Sequence, residues 1–331
     1  MRIAFLSPPV QGHLNPMTAL ARELQLRNHD VVFLSLLDAE SFVRAAGLTF
    51  IPCCEKECPA GFLHERLWQL AKLTGEACVR SAVKGIAART EAMLNSLPAT
   101  FAAAGVDAVV LDSYEMFREV IPMSLGMPYV HVSNALHFDY TGYTPLCLYD
   151  WPHETTPETL ARNRRGLAKF IRMFAEAHTA VRAHAERLGL KIDWDDPSAT
   201  ISKLAWLTQT PKEFDFESSH WPAQLHHTGP FHDGIGRLGT DFPWERLTGE
   251  PLIYASMGTL VNGLPDVFRT IAAAAYMLKD VQLVLSMGNI VDPEQIELLP
   301  RNAIIVRRAP QLELLKRGSI CITHAGLNTT L

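Results

Sequence analysis

Ile3-Ala4-Phe5-Leu6, then the turn Ser7–Leu14 with Pro8, Pro9 and Gly12, then Asn15-Pro16 ahead of Met17, Leu20, Ala21 and Leu24: this opening stretch decides the fold class. The apolar run is continuous, as in a strand covered on both faces. Asn15 and Pro16 read as the N-cap and first-turn proline of a helix. The four residues after them, spaced i, i+3, i+4, i+7, form one buried helical face. Val31-Val32-Phe33-Leu34 supplies the next strand and completes a βαβ unit. Right-handed crossover then makes the sheet parallel.

The pattern repeats outward. Ala108–Leu111 is a strand ending at Asp112, and Tyr129–Val132 follows the turn Gly126-Met127-Pro128. Thr159–Leu188 reads as a charged helix with Leu167, Phe170, Ile171 and Phe174 on its apolar face. From Trp194 to Trp244 the chain is rich in Pro, Gly, His and aromatics, and part of it reads as an interdomain connection. A second α/β pattern starts with the strand Leu252–Ser256 and a helix burying Val267, Ile271, Ala274, Ala275 and Leu278. Gln282–Leu285, Ala303–Val306 and Ile320–Thr323 are further strands, with a short helix near Leu312–Leu315. At about 150 residues per domain, 331 residues make two.

Composition narrows the class. Thirty Lys and Arg against 35 Asp and Glu give a net charge of −5, and 48% of residues are hydrophobic. A disordered tail, a coiled coil and a nucleic-acid footprint are poor fits to that balance. The N-terminal apolar run is too short for a signal peptide, and no run is long enough to span a bilayer, so a cytoplasmic protein without a transmembrane segment is expected. Cys53, Cys54 and Cys58 cluster near His64 but lack the paired spacing of a zinc site, and reduced packing thiols are the expectation.

Ligands of open parallel sheets sit beyond the carboxyl ends of the strands, and three loops of that kind carry chemistry. In the first, Gly12 permits close backbone approach and His13 sits just before a helix start. With a reference pKa of about 6.5, a histidine there suits general-base work; a ring bonded only to backbone is the alternative. Asp112, at a strand tip, either orients His13 and stabilises its imidazolium or caps a helix. The third feature is a pair of loops, Ser256-Met257-Gly258-Thr259 and Thr323-His324-Ala325-Gly326-Leu327-Asn328-Thr329, whose amides and hydroxyls suit a phosphate. Neither a P-loop nor a G-x-G-x-x-G turn occurs, which counts against kinase, ATPase and dehydrogenase chemistry.

Gly12-His13-Leu14-Asn15-Pro16, Tyr254–Leu260, Ala309-Pro310-Gln311 and Thr323–Thr329, in that order, resemble family 1 nucleotide-sugar glycosyltransferases of the GT-B fold. The wording is most similar to bacterial zeaxanthin glucosyltransferase-like and macrolide glycosyltransferase-like members. The resemblance implies an α/β architecture of two Rossmann-like parallel-sheet domains facing a cleft. Residues 1–228 would bind the acceptor, 229–250 would be the linker, and 251–331 would form an incomplete nucleotide-sugar domain. It also implies inverting, metal-independent transfer of a hexose from a UDP-sugar, or a similar nucleotide sugar, to a hydroxyl of a lipophilic small molecule. His13 would be the base and Asp112 its partner. Gly12, Thr259, His324, Gly326, Asn328 and Thr329 would serve the donor's phosphates, and Arg308, Ala309 and Gln311 its base and ribose. No resident cofactor and no metal are implied.

Two departures matter. Arg308 stands where plant relatives have a tryptophan that stacks on uracil; a guanidinium also stacks. The family's ribose-binding Glu would fall one residue past Leu331, with an Asp-Gln pair later still. At about 1.5–3 kcal/mol per hydrogen bond to a charged group, their loss would cost roughly 4–8 kcal/mol of donor binding. A longer enzyme, one completed by a C-terminal fragment, and a catalytically silent GT-B-like auxiliary subunit are therefore the readings in play. Aromatics in Phe62–Leu73 and His137–Leu148, among them Phe138, Tyr140, Tyr143 and Leu146, would line an acceptor cleft or simply pack. His131, His137, His178 and His184 receive no chemistry.

Overall fold

A computed structural model of the chain describes residues 1–218, 220–235, 239–258, 263–288, 291–296 and 298–331. They divide into two units, Met1–Leu63 with Arg80–Gly236 and Leu331, and His64–Val79 with Arg237–Thr330.

The first unit begins with β1 (Arg2–Leu6), α1 (Gln11–Leu26), β2 (Asp30–Ser35), α2 (Glu40–Ala45) and β3 (Thr49–Pro52). After α3 (Phe62–Leu70), most of which belongs to the second unit, and the thirty-residue α4 (Gly75–Ala104), whose residues from Arg80 on belong to the first, come β4 (Ala108–Asp112), α5 (Val120–Ser124) and β5 (Tyr129–Ser133). Then follow α6 (Pro157–Met173), α7 (Ala175–Arg187), β6 (Trp206–Thr208) and β7 (Leu225–His227). The seven strands form one sheet in the order β3-β2-β1-β4-β5-β6-β7, and every pairing is parallel. Phe5 and Phe33, fully buried with rings 6.1 Å apart, pack with Met17, Ala21 and Val43 in the core of this unit. Burial on both faces of the sheet is why its central strands read as unbroken apolar runs.

The second unit runs β8 (Leu252–Ser256), α8 (Pro265–Tyr276), β9 (Gln282–Ser286), β10 (Ile304–Val306), α9 (Gln311–Leu315), β11 (Gly318–Thr323) and α10 (Leu327–Thr330). Its parallel sheet has the order β10-β9-β8-β11. In both sheets the strand order reverses beside the unit's first strand, between β1 and β4 and between β8 and β11. These are the topological switch points, where open parallel sheets bind their ligands. Of the residues between 228 and 251, Asp233 is bound by Arg22 of α1 at 2.9 Å, and Phe242 is buried against Leu252 and Tyr254. No described helix is long and apolar enough to cross a membrane.

The local reading needs four corrections. The first helix starts at Gln11, with Val10 as its cap and Pro16 inside it, so Asn15 is not the cap. Leu14, only 1% exposed, gains core packing from the extra turn, while Pro16 removes only the bond an N–H there would make to Gly12. In α8 the buried stripe is Phe268, Ile271, Ala272 and Ala275, whereas Val267, Ala274 and, past the helix end, Leu278 face solvent. The larger Phe268 ring, fully buried, wins the core and turns the helix by one position. The charged helix is two, α6 and α7, meeting at Phe174. Finally, β3 and the helices α2, α3, α4 and α5 had no sequence reading, and β6 and β7 fall in the stretch read without strands and in part as an interdomain connection.

Candidate active site

β1 and β4 are neighbours, so the residues leaving their carboxyl ends meet at the first switch point. Asp112 is the last residue of β4 and its side chain is fully buried. An ionised carboxylate in that position needs a full set of donors, and it has one. Oδ2 accepts from Ser7 Oγ at 3.2 Å and from Asn134 Nδ2 at 2.6 Å, and Oδ1 accepts from the Tyr114 amide at 2.9 Å. His13 Nδ1, in the first turn of α1, lies 2.8 Å from Oδ2 with its ring 14% exposed. Donating Nδ1–H to this carboxylate leaves Nε2 as the nitrogen that takes up a proton.

The electrostatics follow from burial and this pairing. Burial, the largest influence, pushes the His13 pKa down, but the Asp112 charge and hydrogen bond, with Glu115 behind them, outweigh it and raise it above 6.5. Tyr114 sits edge-on to the imidazole at 5.2 Å, and burial holds its phenol well above pKa 10, so it stays neutral. Phe138 packs on Tyr114 at 5.5 Å. Sequence reading missed Ser7, Tyr114 and Asn134. Asn134 was the most findable, being an amide just past the end of β5, the strand that pairs with β4. A relay runs outward from it: Gln209 Nε2 donates to Asn134 Oδ1 at 3.3 Å, and Gln209 Oε1 accepts from the Phe231 amide at 2.9 Å.

The second switch point, in the other unit, brings together residues from β8, β11 and α9. Gly258 follows β8 at φ +76°, and a Cβ there would collide with the His324 imidazole. A Cβ on Gly326 would stand 2.6 Å from His324 Nε2. The ring therefore lies against two glycines, and Ala325, between His324 and Gly326 in the chain, takes a positive φ of 58°. Burial lowers the pKa of His324 below 6.5, which leaves it neutral at pH 7, a hydrogen-bond donor and not a cation. Gln311, the first residue of α9, donates Nε2 to Thr329 Oγ1 at 3.0 Å, joining two more of the expected donor residues. Arg308 is exposed on the loop after β10, beside half-buried Ala309. Asn328 is exposed in α10. Thr259 lies outside the described residues.

The remaining candidates take ordinary places. Cys53, Cys54 and Cys58 are buried free thiols whose pKa values burial raises. His131 is paired with Glu119, and His178 packs edge-on to Phe117. Phe138 and Leu146 are buried core residues, whereas Tyr140 and Tyr143 are half-buried. Among the described residues, one group of three is close enough to hold a metal ion: His137, Asp215 and His227.

No protein-family model matches the chain. A zeaxanthin glucosyltransferase of Pantoea ananas is 28% identical over 99% of the chain and 76% of its own length. A kitacinnamycin glycosyltransferase structure superposes with a TM-score of 0.71 at 20% identity, covering 99% of the chain and 76% of that structure. A spinosyn rhamnosyltransferase solved with thymidine diphosphate gives 0.62 at 16% identity, over 100% and 77%. With a parallel sheet in each unit and similarity that extends over 99% of the chain, the chain has the GT-B fold and is similar along its length to nucleotide-sugar glycosyltransferases.

Proposed function

We propose that the chain carries out inverting, metal-independent transfer of a hexose from a nucleotide sugar to a hydroxyl of a lipophilic small molecule. The observation that carries this reading is the 2.8 Å contact of His13 Nδ1 with a fully buried Asp112 at the β1/β4 switch point. It makes Nε2 a base whose protonated form is stabilised by a fixed negative charge. The acceptor O–H gives its proton to Nε2, and the acceptor oxygen forms a bond to the anomeric carbon as the bond to the nucleotide's terminal phosphate oxygen breaks. Direct attack inverts that carbon, and the electron pair leaves on the diphosphate.

Around His324 the chemistry calls for donors, not charge. A neutral imidazole and the amides of Gly326, Leu327 and Asn328 would bond the departing oxygens, with Thr259 and Thr329 adding hydroxyls. Gln311, Ala309 and Arg308 would hold ribose and base. The thymidine diphosphate in the spinosyn enzyme supports a nucleotide donor, with UDP or TDP as the carrier. The Pantoea ananas relative, named for zeaxanthin, supports a lipophilic acceptor.

His13→Ala in the whole protein tests the reading. Transfer should fall by about 10²–10⁴-fold, the usual worth of a general base, while binding of UDP or TDP measured by calorimetry stays unchanged. Added Mg²⁺ should leave the wild-type rate where it was. Transfer at the wild-type rate by His13→Ala removes the assigned base.

A further inference from the structure

Three strands along the same carboxyl edge from Asp112, about 14 Å at normal strand spacing, a second polar cluster sits among residues to which the sequence reading gave no chemistry. His227 is the last residue of β7, Asp215 follows the short helical turn Lys212–Phe214, and His137 lies in the loop after β5. His227 Nε2 is 2.7 Å and His137 Nε2 is 3.1 Å from one oxygen, Asp215 Oδ2. The three ligand atoms lie within 4.8 Å of one another.

Two details separate this group from an ordinary hydrogen-bonded triad. His137 is 3% exposed, and its Nε2 is buried without a hydrogen-bond partner despite its closeness to Oδ2. Both imidazole Nε2 atoms thus converge on the same carboxylate oxygen, as the ligands of one ion do. The other nitrogen of the ring, Nδ1, lies 3.3 Å from Thr208 Oγ1, the kind of outer partner that orients a metal-bound imidazole. Trp206 and Trp221 pack T-shaped against the same ring, with centroids 5.7 and 4.7 Å away.

We propose that His137, Asp215 and His227 form a binding site for one divalent transition-metal ion of the zinc class. Two imidazole nitrogens and one carboxylate oxygen suit Zn²⁺ or its neighbours and not Mg²⁺ or Ca²⁺, which favour all-oxygen sets. Bonds of about 2.0–2.2 Å place tetrahedral ligand atoms about 3.4 Å apart. The contacts to Asp215 Oδ2, now 2.7 and 3.1 Å, would therefore open toward that spacing by side-chain shifts on the order of 1 Å as the ion enters. His227 and Asp215 retain 16% and 11% exposure, which leaves an approach for the ion and a fourth position for water. The bound ion ties the loop after β5 to the Asp215 turn and to the end of β7. That loop carries Phe138, which packs on Tyr114 and through it on His13. The ion touches none of the groups transferred and is separate from the metal-free chemistry proposed above.

Titrating Zn²⁺ into the metal-stripped chain by calorimetry, with Co²⁺ absorbance in parallel, tests the site. One ion per chain should bind and raise the thermal midpoint. Affinity should drop at least 100-fold in both Asp215→Asn and His227→Gln, each checked for native circular dichroism. The Co²⁺ spectrum should show the visible d–d bands of a tetrahedral site, clearly stronger than those of aqueous Co²⁺, with no thiolate charge transfer. The proposal is overturned by an absence of binding, by binding that survives both substitutions, or by a thiolate band, which would place the ion on Cys53, Cys54 and Cys58.

Discussion

His13 Nδ1 and Asp112 Oδ2, ninety-nine residues apart in the chain, are 2.8 Å apart in the fold. The contact exists because β1 and β4 are paired, with Leu6 opposite Leu111, so the turn after one strand and the tip of the other share an edge. A carboxylate with three further donors cannot rotate freely, and it holds the imidazole in one tautomer. The pair is a built feature of the sheet, not a chance surface ion pair.

Asp112→Asn keeps the shape but removes the charge that stabilises the imidazolium. Its amide would also present Asn134 Nδ2 with a poorer acceptor. Turnover should drop on the order of 10²–10⁴-fold, with nucleotide affinity unchanged. Steady-state kinetics against calorimetric binding separates the two effects.

Asn134→Ala removes the 2.6 Å bond into Oδ2 without touching His13. With one donor fewer, the carboxylate offers more of its charge to the imidazole, so the His13 pKa should rise further. The acid limb of the pH–rate profile should move upward, and kcat should fall while KM for the donor holds. A profile that does not move would reduce Asn134 to a packing residue.

Gly326→Ala places a methyl 2.6 Å from His324 Nε2 at a residue that does not need a positive φ. The ring must swing away. KM for the nucleotide sugar should rise at least tenfold, while the pH dependence set by His13 stays as it was. Kinetics at several pH values check both halves.

The stripe of α8 gives a stability test free of function. Phe268→Ala should cost about 3–5 kcal/mol in urea unfolding, as truncation of a buried aromatic does. Val267→Ala, at a position 36% exposed, should stay within about 0.5 kcal/mol. The opposite ranking would restore the stripe read from the sequence.

The central strands were legible because they are buried on both faces and appear as uninterrupted apolar runs: Ile3–Leu6, Val31–Leu34, Ala108–Leu111 and Leu252–Ser256. β6 and β7 were not, since each has three residues in a stretch dense in Pro, His and aromatics. His13, Asp112, Gln311 and His324 stood at strand ends or helix starts and could be picked out one at a time. Their partners could not, because Asn134 reaches Asp112 only through the β4–β5 pairing and Gln311 reaches Thr329 only once α9 has packed. Asn15-Pro16 misled for a related reason: a good local capping signal lost to the burial of Leu14. The His137–Asp215–His227 group was invisible for want of any short spacing, its members being gathered from three separate loops and strand ends.

His13 carries a pKa above 6.5, so the stability its ionised form contributes is fully present below pH 6.5 and is lost as pH rises through the folded-state pKa. The proposed base activity has the opposite sense and would appear as the proton leaves Nε2. The decisive measurement is the pH dependence of kcat/KM for the wild type and Asp112→Asn. The expected result is a wild-type acid limb above pH 6.5 that moves to lower pH in the variant. An acid limb at the same pH in both proteins would contradict the assignment of His13 as a base held by Asp112.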